Sequence, residues 1–148
     1  MENLSENRKA RFDYEILDTY EAGVELKGFE VKAVKAGKMR IAGAFAIVRG
    51  GEIWLLNAEI DPYQKGNVPP DYDPARTRRL LLKREEITEL TGRIKERGLT
   101  LLPLRVYNKG NLVKIELGLG RGKRGPDKRE TIKKREVSRE IRRNLKNE

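Results

Sequence analysis

Residues 102–119, Leu102-Pro103-Leu104-Arg105-Val106-Tyr107-Asn108-Lys109-Gly110-Asn111-Leu112-Val113-Lys114-Ile115-Glu116-Leu117-Gly118-Leu119, read as two strands folded back on each other. Leu102, Leu104 and Val106 alternate with Pro103, Arg105 and Tyr107. Beyond the turn Asn108-Lys109-Gly110-Asn111, the residues Val113, Ile115, Leu117 and Leu119 alternate with Lys114, Glu116 and Gly118. A period of two gives each strand one apolar face and one solvated face. Pro103 has no N–H to give a ladder, so it belongs at an edge, a bulge or a strand start.

Upstream, Ala44 to Arg49 and Glu52 to Asn57 form a second hairpin around Gly50-Gly51, a pair that tolerates the positive φ of a two-residue turn. Tyr14 to Leu26 is rich in β-branched, aromatic and aliphatic residues and reads as one long strand, with a bulge or bend expected at Ala22-Gly23. Lys83 to Arg97 has helical spacing in Ile87, Leu90 and Ile94, early Glu85 and Glu86, late Lys95 and Arg97, and Gly98 just beyond. Phe29 to Ala36 fits a helix or a strand, with Gly37 suited to a helix stop. Asp61 to Ala75, with four prolines and Gly66, reads as a long irregular loop. Short strands closed by hairpins, with few helices, predict a mainly β fold over residues 1–120: an OB-type antiparallel β-barrel with peripheral helices, whose open face and loops suit nucleic acid.

Charge divides the chain. Residues 121–148 carry 12 Lys/Arg against 5 Asp/Glu, which is +7 of the chain's +10. Gly120-Arg121-Gly122-Lys123-Arg124-Gly125-Pro126 holds no apolar residue and reads as a hinge. Beyond it Asp127 is placed to cap a helix with Glu130 three residues on, and Val137, Ile141 and Leu145 form a thin apolar stripe. Glu130 faces Lys134 at i+4. Such a helix is marginal alone, so the basic tail is expected to be disordered or helical according to whether a partner is present.

The chain has no Cys and no His, which excludes disulfides and thiolate metal sites and removes the commonest general base. Binding is therefore favoured over catalysis, with no cofactor. A pI near 9.9, with the charge concentrated, points to a nucleic-acid partner. The tail stripe has no aromatic residue to enter lipid, and no run of 18 apolar residues exists, so no membrane role is expected. The start of the chain is acidic and polar, unlike a signal peptide, and a cytoplasmic location is expected. A hydrolase holding metal through Asp61, Asp71 and Asp73 is a rival reading, but aspartates among prolines and glycine serve turns for backbone reasons alone.

Four collinear stretches resemble the small protein B family, which binds transfer-messenger RNA. They are Asn7-Arg8-Lys9-Ala10-Arg11-Phe12-Asp13-Tyr14; Tyr20-Glu21-Ala22-Gly23 with Glu30-Val31-Lys32 and Ala36-Gly37-Lys38; Arg78-Arg79-Leu80-Leu81-Leu82 with Gly98-Leu99-Thr100; and Leu117-Gly118-Leu119-Gly120-Arg121-Gly122-Lys123 with Asp127-Lys128-Arg129-Glu130. The resemblance implies a non-enzymatic, monomeric adaptor of trans-translation, the rescue of ribosomes stalled on broken messages. It would bind the tRNA-like domain of transfer-messenger RNA, with small-subunit ribosomal RNA at the decoding site and the empty mRNA channel as further partners. The alternative is an OB-type ribosomal or ribosome-assembly protein held on ribosomal RNA.

Carried over by position, the resemblance puts Asn7, Arg8, Lys9, Arg11, Glu21 and Lys114 on the RNA side of the barrel. Cations neutralise phosphates, and Glu21 either accepts from RNA or holds Arg8 or Arg11 in place. Lys114 is either an RNA contact or an ordinary outward strand residue. Leu80 is expected in the core. The ribosome-contacting tail residues are Gly122, Lys123, Asp127, Lys128, Arg129, Lys134 and Arg135. Two residues depart from the family's pattern: Pro126 stands where a His or Tyr usually precedes the Asp, and Phe12 stands where a His usually follows the Arg.

Overall fold

The computed structural model describes residues 2–64, 66, 68–95 and 99–123. In chain order the elements are β1 (Glu2–Glu6), α1 (Arg8–Asp13), β2 (Tyr14–Val24), α2 (Gly28–Lys35), β3 (Met39–Arg40), β4 (Phe45–Arg49), β5 (Glu52–Leu56), β6 (Glu59–Ile60), β7 (Arg78–Leu81), α3 (Arg84–Ile94), β8 (Leu99–Lys109) and β9 (Leu112–Gly122). The fold is mainly antiparallel sheet with peripheral helices, as hairpin spacing predicts.

The sheet closes on itself. Strands run β8-β4-β5-β7-β2-β9, and β9 pairs again with β8, while β1 adds to β8 beyond its contact with β4. The interior is filled by Tyr20, Ala22, Ile53, Leu55, Leu80, Leu101, Val106, Ile115, Leu117 and Leu119. Burying a leucine- or isoleucine-sized side chain contributes about 1.5–3 kcal/mol, so this layer supplies the main drive for closure. Leu80 is fully buried, as expected of a core residue.

Both predicted hairpins form. Gly50 and Gly51 have φ of 63° and 74°, the left-handed pair that lets β4 turn tightly into β5. The β8–β9 hairpin pairs Lys109 with Leu112 around Gly110, whose φ is 62°. Helix α3 spans Arg84–Ile94 and buries Leu90; the expected continuation to Arg97 and Gly98 lies outside the described residues. The stretch open to helix or strand is helical: α2 spans Gly28–Lys35, with Ala36 as its C-cap and Gly37 beyond it at φ 80°.

Three expectations change. Pro103 does mark a bulge: the β8–β9 register slips between Pro103 and Arg105. That slip breaks the simple alternation, so Leu102 and Leu104 join Ala10 in a second cluster, with Tyr14, Ile16 and Phe45 against it, while Leu101 and Val106 stay in the main core. The bulge in β2 falls between Ile16 and Asp18 rather than at Ala22-Gly23. Gly120, Arg121 and Gly122 are not hinge but strand, because β9 runs on to Gly122 opposite Tyr14. The glycines there serve close approach: a Cβ on Gly118 would sit 2.7 Å from Leu104 Cδ1, and one on Gly120 would sit 3.1 Å from Tyr14 Cβ.

A buried ionic knot ties α2 to β7 and the 61–77 loop. Glu30 and Arg78 are both fully buried, with Glu30 Oε2 accepting from Arg78 Nη2 at 2.6 Å and Nε at 3.0 Å. Arg76 and the Tyr72 hydroxyl also donate to Glu30, and Arg78 Nη1 donates to the carbonyls of Ala58 and Arg76. Burial raises the Glu30 carboxyl, but Arg76, the Lys27 N–H and Arg78 outweigh it and bring the pKa down to about 2. Burial and then Glu30 push the Tyr72 hydroxyl up to about 12.

Candidate nucleic-acid interface

Asn7 sets the geometry of the cationic helix. Its Oδ1 accepts from the Ala10 N–H at 3.2 Å, capping α1, and its Nδ2 donates to the carbonyls of Ile41 and Pro103 at 3.2 and 3.0 Å. Its backbone N–H donates to Leu104 at 2.8 Å, and the residue is only 4% exposed. Asn7 is therefore spent on scaffold, acting on any ligand through α1. Ala10 anchors the helix on the second apolar cluster, which turns Arg8, Lys9, Arg11 and Phe12 to solvent; Phe12 is 72% exposed.

The remaining predicted residues converge on the adjoining sheet surface. Glu21 pairs with Glu116 across β2 and β9, while Arg105 pairs with Glu116 and Tyr107 with Lys114 across β8 and β9. Period-two geometry puts Glu21, Lys114, Glu116, Arg105, Tyr107 and Lys109 on the same outer face. Arg11 Nη2 reaches Glu116 Oε1 at 2.8 Å, and Arg105 Nε lies 3.4 Å from Glu116 Oε2. Arg105 also donates to Asn3 Oδ1 at 2.9 Å and stacks over the Tyr107 ring, 4.4 Å from its centroid.

Glu21 is held by other partners than expected. The Tyr107 hydroxyl donates to its Oε2, and Lys109 Nζ lies 3.0 Å from Oε1, whereas Arg8 approaches Glu6 and Arg11 approaches Glu116. The Tyr107 hydrogen bond and then Lys109 hold the Glu21 carboxyl below the usual carboxylate range, so it stays anionic at neutral pH. Burial and then Glu21 push the Tyr107 hydroxyl up. Lys114 extends across Gly23, where an added Cβ would stand 3.7 Å from its Nζ.

Of the tail residues, Gly122 closes β9 and Lys123 follows it, its N–H bonded to the Asp13 carbonyl at the end of α1. Asp127, Lys128, Arg129, Lys134 and Arg135 lie outside the described residues. The sequence reading missed Arg105, Tyr107, Lys109 and Glu116 as members of the face. The signal for Arg105, Tyr107 and Glu116 was present as the outward set of the 102–119 alternation, whereas Lys109, read as part of the turn, is the last residue of β8. The loop acids have local work: Asp61 pairs with Arg40, and Asp73 accepts from the Ala75 N–H at 2.9 Å. Among the described residues, no helix is long and apolar enough to cross a membrane.

Closed sheet, capped cationic helix and ion-paired outer face together define a small antiparallel-barrel protein with one polar, cation-rich side. The chain belongs to the SmpB family: the family model described as SmpB protein matches residues 4–147. It is 52% identical over 143 residues to the SsrA-binding protein of Synechocystis sp., covering 97% of this chain and 93% of that one. It is 56% identical over 140 residues to the SsrA-binding protein of Gloeobacter violaceus, covering 95% and 91%. A solved chain described as "tmRNA-SmpB: a journey to the center of the bacterial ribosome" is similar in structure with a TM-score of 0.68 and 50% identity, over 83% of this chain and 86% of that one.

Proposed function

We propose that the protein is an RNA-binding adaptor of trans-translation, which binds the tRNA-like domain of transfer-messenger RNA and delivers it to stalled ribosomes. The observation that carries this reading is about half identity over nearly the whole chain to proteins named for binding SsrA, the transfer-messenger RNA. The similarity to a chain solved as tmRNA-SmpB on the ribosome supports the same partners. It acts without catalysis, in the cytoplasm, as a monomer.

Arg8, Lys9 and Arg11 neutralise phosphates, and Phe12 offers an open aromatic face beside them. Glu21, fixed by Tyr107 and Lys109, presents acceptors to ribose hydroxyls or base amino groups, and Lys114 adds a cation alongside. Asn7 contributes by holding α1. Gly122 and Lys123 lead the tail away beside α1. Asp127, Lys128, Arg129, Lys134 and Arg135 engage small-subunit ribosomal RNA at the decoding site and along the vacant mRNA channel.

A gel shift of the full chain with a tRNA-like-domain transcript over a salt series tests this. A salt-sensitive complex in the nanomolar range, absent for an unrelated hairpin at the same salt, is expected. Equal binding of both RNAs overturns the reading.

A further inference from the structure

Two carboxylates, Glu21 and Glu116, stand directly opposite each other on the face that meets RNA. Like charges in that relation destabilise a sheet, and both repel a polyanion. Glu21 has fixed donors of its own. Glu116 instead divides its oxygens between two guanidiniums, Arg11 from α1 and Arg105 from β8. The Arg11 side chain is 54% exposed, so its pair is open to an incoming anion, while the Arg105–Glu116 pair, with side chains 26% and 21% exposed, is more covered. A carboxylate on two arginines reproduces the contact that a phosphate would make there.

Resting on the reading of this face as the RNA side, we infer that Glu116 is an internal competitor for RNA phosphate. Its carboxylate occupies Arg11 and Arg105 in the free protein and yields them when a phosphate reaches both. An RNA that touches only one of the two arginines displaces half of the pairing and gains little. A structured RNA whose backbone spans α1 and β8 displaces both and recovers the loss. Glu116 is thus a specificity-determining residue that works by penalising generic RNA.

The test uses full-length protein with Glu116→Gln, which keeps the acceptor and removes the charge. Binding to the tRNA-like-domain transcript and to a plain hairpin duplex of equal length is measured over a salt series. The hairpin is expected to bind about tenfold tighter and the tRNA-like domain about threefold tighter, so the preference between them shrinks. The hairpin's slope of log affinity against log salt should steepen by about 0.7–0.9 for each phosphate newly engaged.

In an Arg11→Gln, Arg105→Gln background the same Glu116→Gln change should give no gain. Weaker binding of either RNA on Glu116→Gln would make Glu116 a buttress of the arginines and overturn the inference. Unchanged hairpin affinity, or a gain that persists without the two arginines, would overturn it as well. A wild-type chain with no preference for the tRNA-like domain would instead contradict the proposed function, and the hairpin response to Glu116→Gln would still be readable.

Discussion

The Lys123 backbone N–H donates to the Asp13 carbonyl at 3.1 Å, so the last strand is fastened to the end of the cationic helix. Lys123 therefore lies beside α1, on the side proposed to meet RNA. Arg121 and Gly122 reinforce the joint by pairing with Glu15 and Tyr14 on β2.

Body and tail should accordingly separate after Lys123. Truncation there is expected to leave the unfolding midpoint and RNA affinity of the body unchanged while abolishing peptide tagging on stalled ribosomes. Truncation after Gly120 should cost about 2–3 kcal/mol, at about 1 kcal/mol per lost backbone hydrogen bond, and loosen α1. Paired urea melts and filter binding check both.

Asn7→Ala removes a helix cap and two side-chain hydrogen bonds, to the carbonyls of Pro103 and of Ile41, the latter still accepting from the Ala44 N–H at 3.0 Å. A loss of about 2–3 kcal/mol is expected, from about 1 for the cap and about 0.5–1 for each of the two lost side-chain hydrogen bonds. RNA affinity should fall with it, yet recover at low temperature or in stabilising osmolyte where α1 is restored. An affinity loss with unchanged stability would make Asn7 a direct contact.

Glu30 makes the fold acid-sensitive in a defined window. Its pKa is depressed from an ordinary 4.5 to about 2, so its contribution is fully present above the unfolded value and is lost as pH falls from about 5 through 2. The shift corresponds to about 3 kcal/mol. Protonation would leave Arg78 charged, fully buried and without a counter-ion. Denaturant midpoints measured from pH 7 to 2 should fall through this window. Glu30→Gln should be destabilised by about 3–5 kcal/mol at pH 7, with a flatter acid limb.

Tyr107→Phe deletes the hydroxyl that holds Glu21. The Glu21 carboxyl should titrate closer to its ordinary range, and affinity for the tRNA-like domain should fall several-fold because the acceptor is no longer oriented. Carboxyl-carbon NMR of Glu21 across pH, read beside RNA titrations, separates this positioning role from loss of fold.

Much of this architecture was legible in short-range pattern. Gly50-Gly51, Gly110 and Gly37 marked turns and a helix stop because positive φ selects glycine locally. Gly118 and Gly120 were opaque for the opposite reason: their role is close approach to Leu104 and Tyr14, which only pairing across strands reveals. Helix α1, at six residues, is too short for a periodic signal and exists through Asn7's contacts 34 and 96 residues away. The Glu30–Arg78 knot and the Arg11–Glu116–Arg105 cluster are likewise contacts of distant residues. For the face itself, residue types were readable, and the alternation of 102–119 held the outward set, but the Pro103 bulge set its phase.

The most direct measurement of the central claim, that one outer face of the barrel receives the RNA, is amide chemical-shift mapping of the full chain titrated with the tRNA-like-domain transcript. Shifts should concentrate at Arg8 to Phe12, Glu21, Arg105, Tyr107, Lys114 and Glu116, with Arg49, Glu52 and Arg79 on the opposite arc of the sheet unmoved. Shifts centred on the β4–β5 hairpin and β7, with the α1 and β8–β9 residues silent, would contradict it.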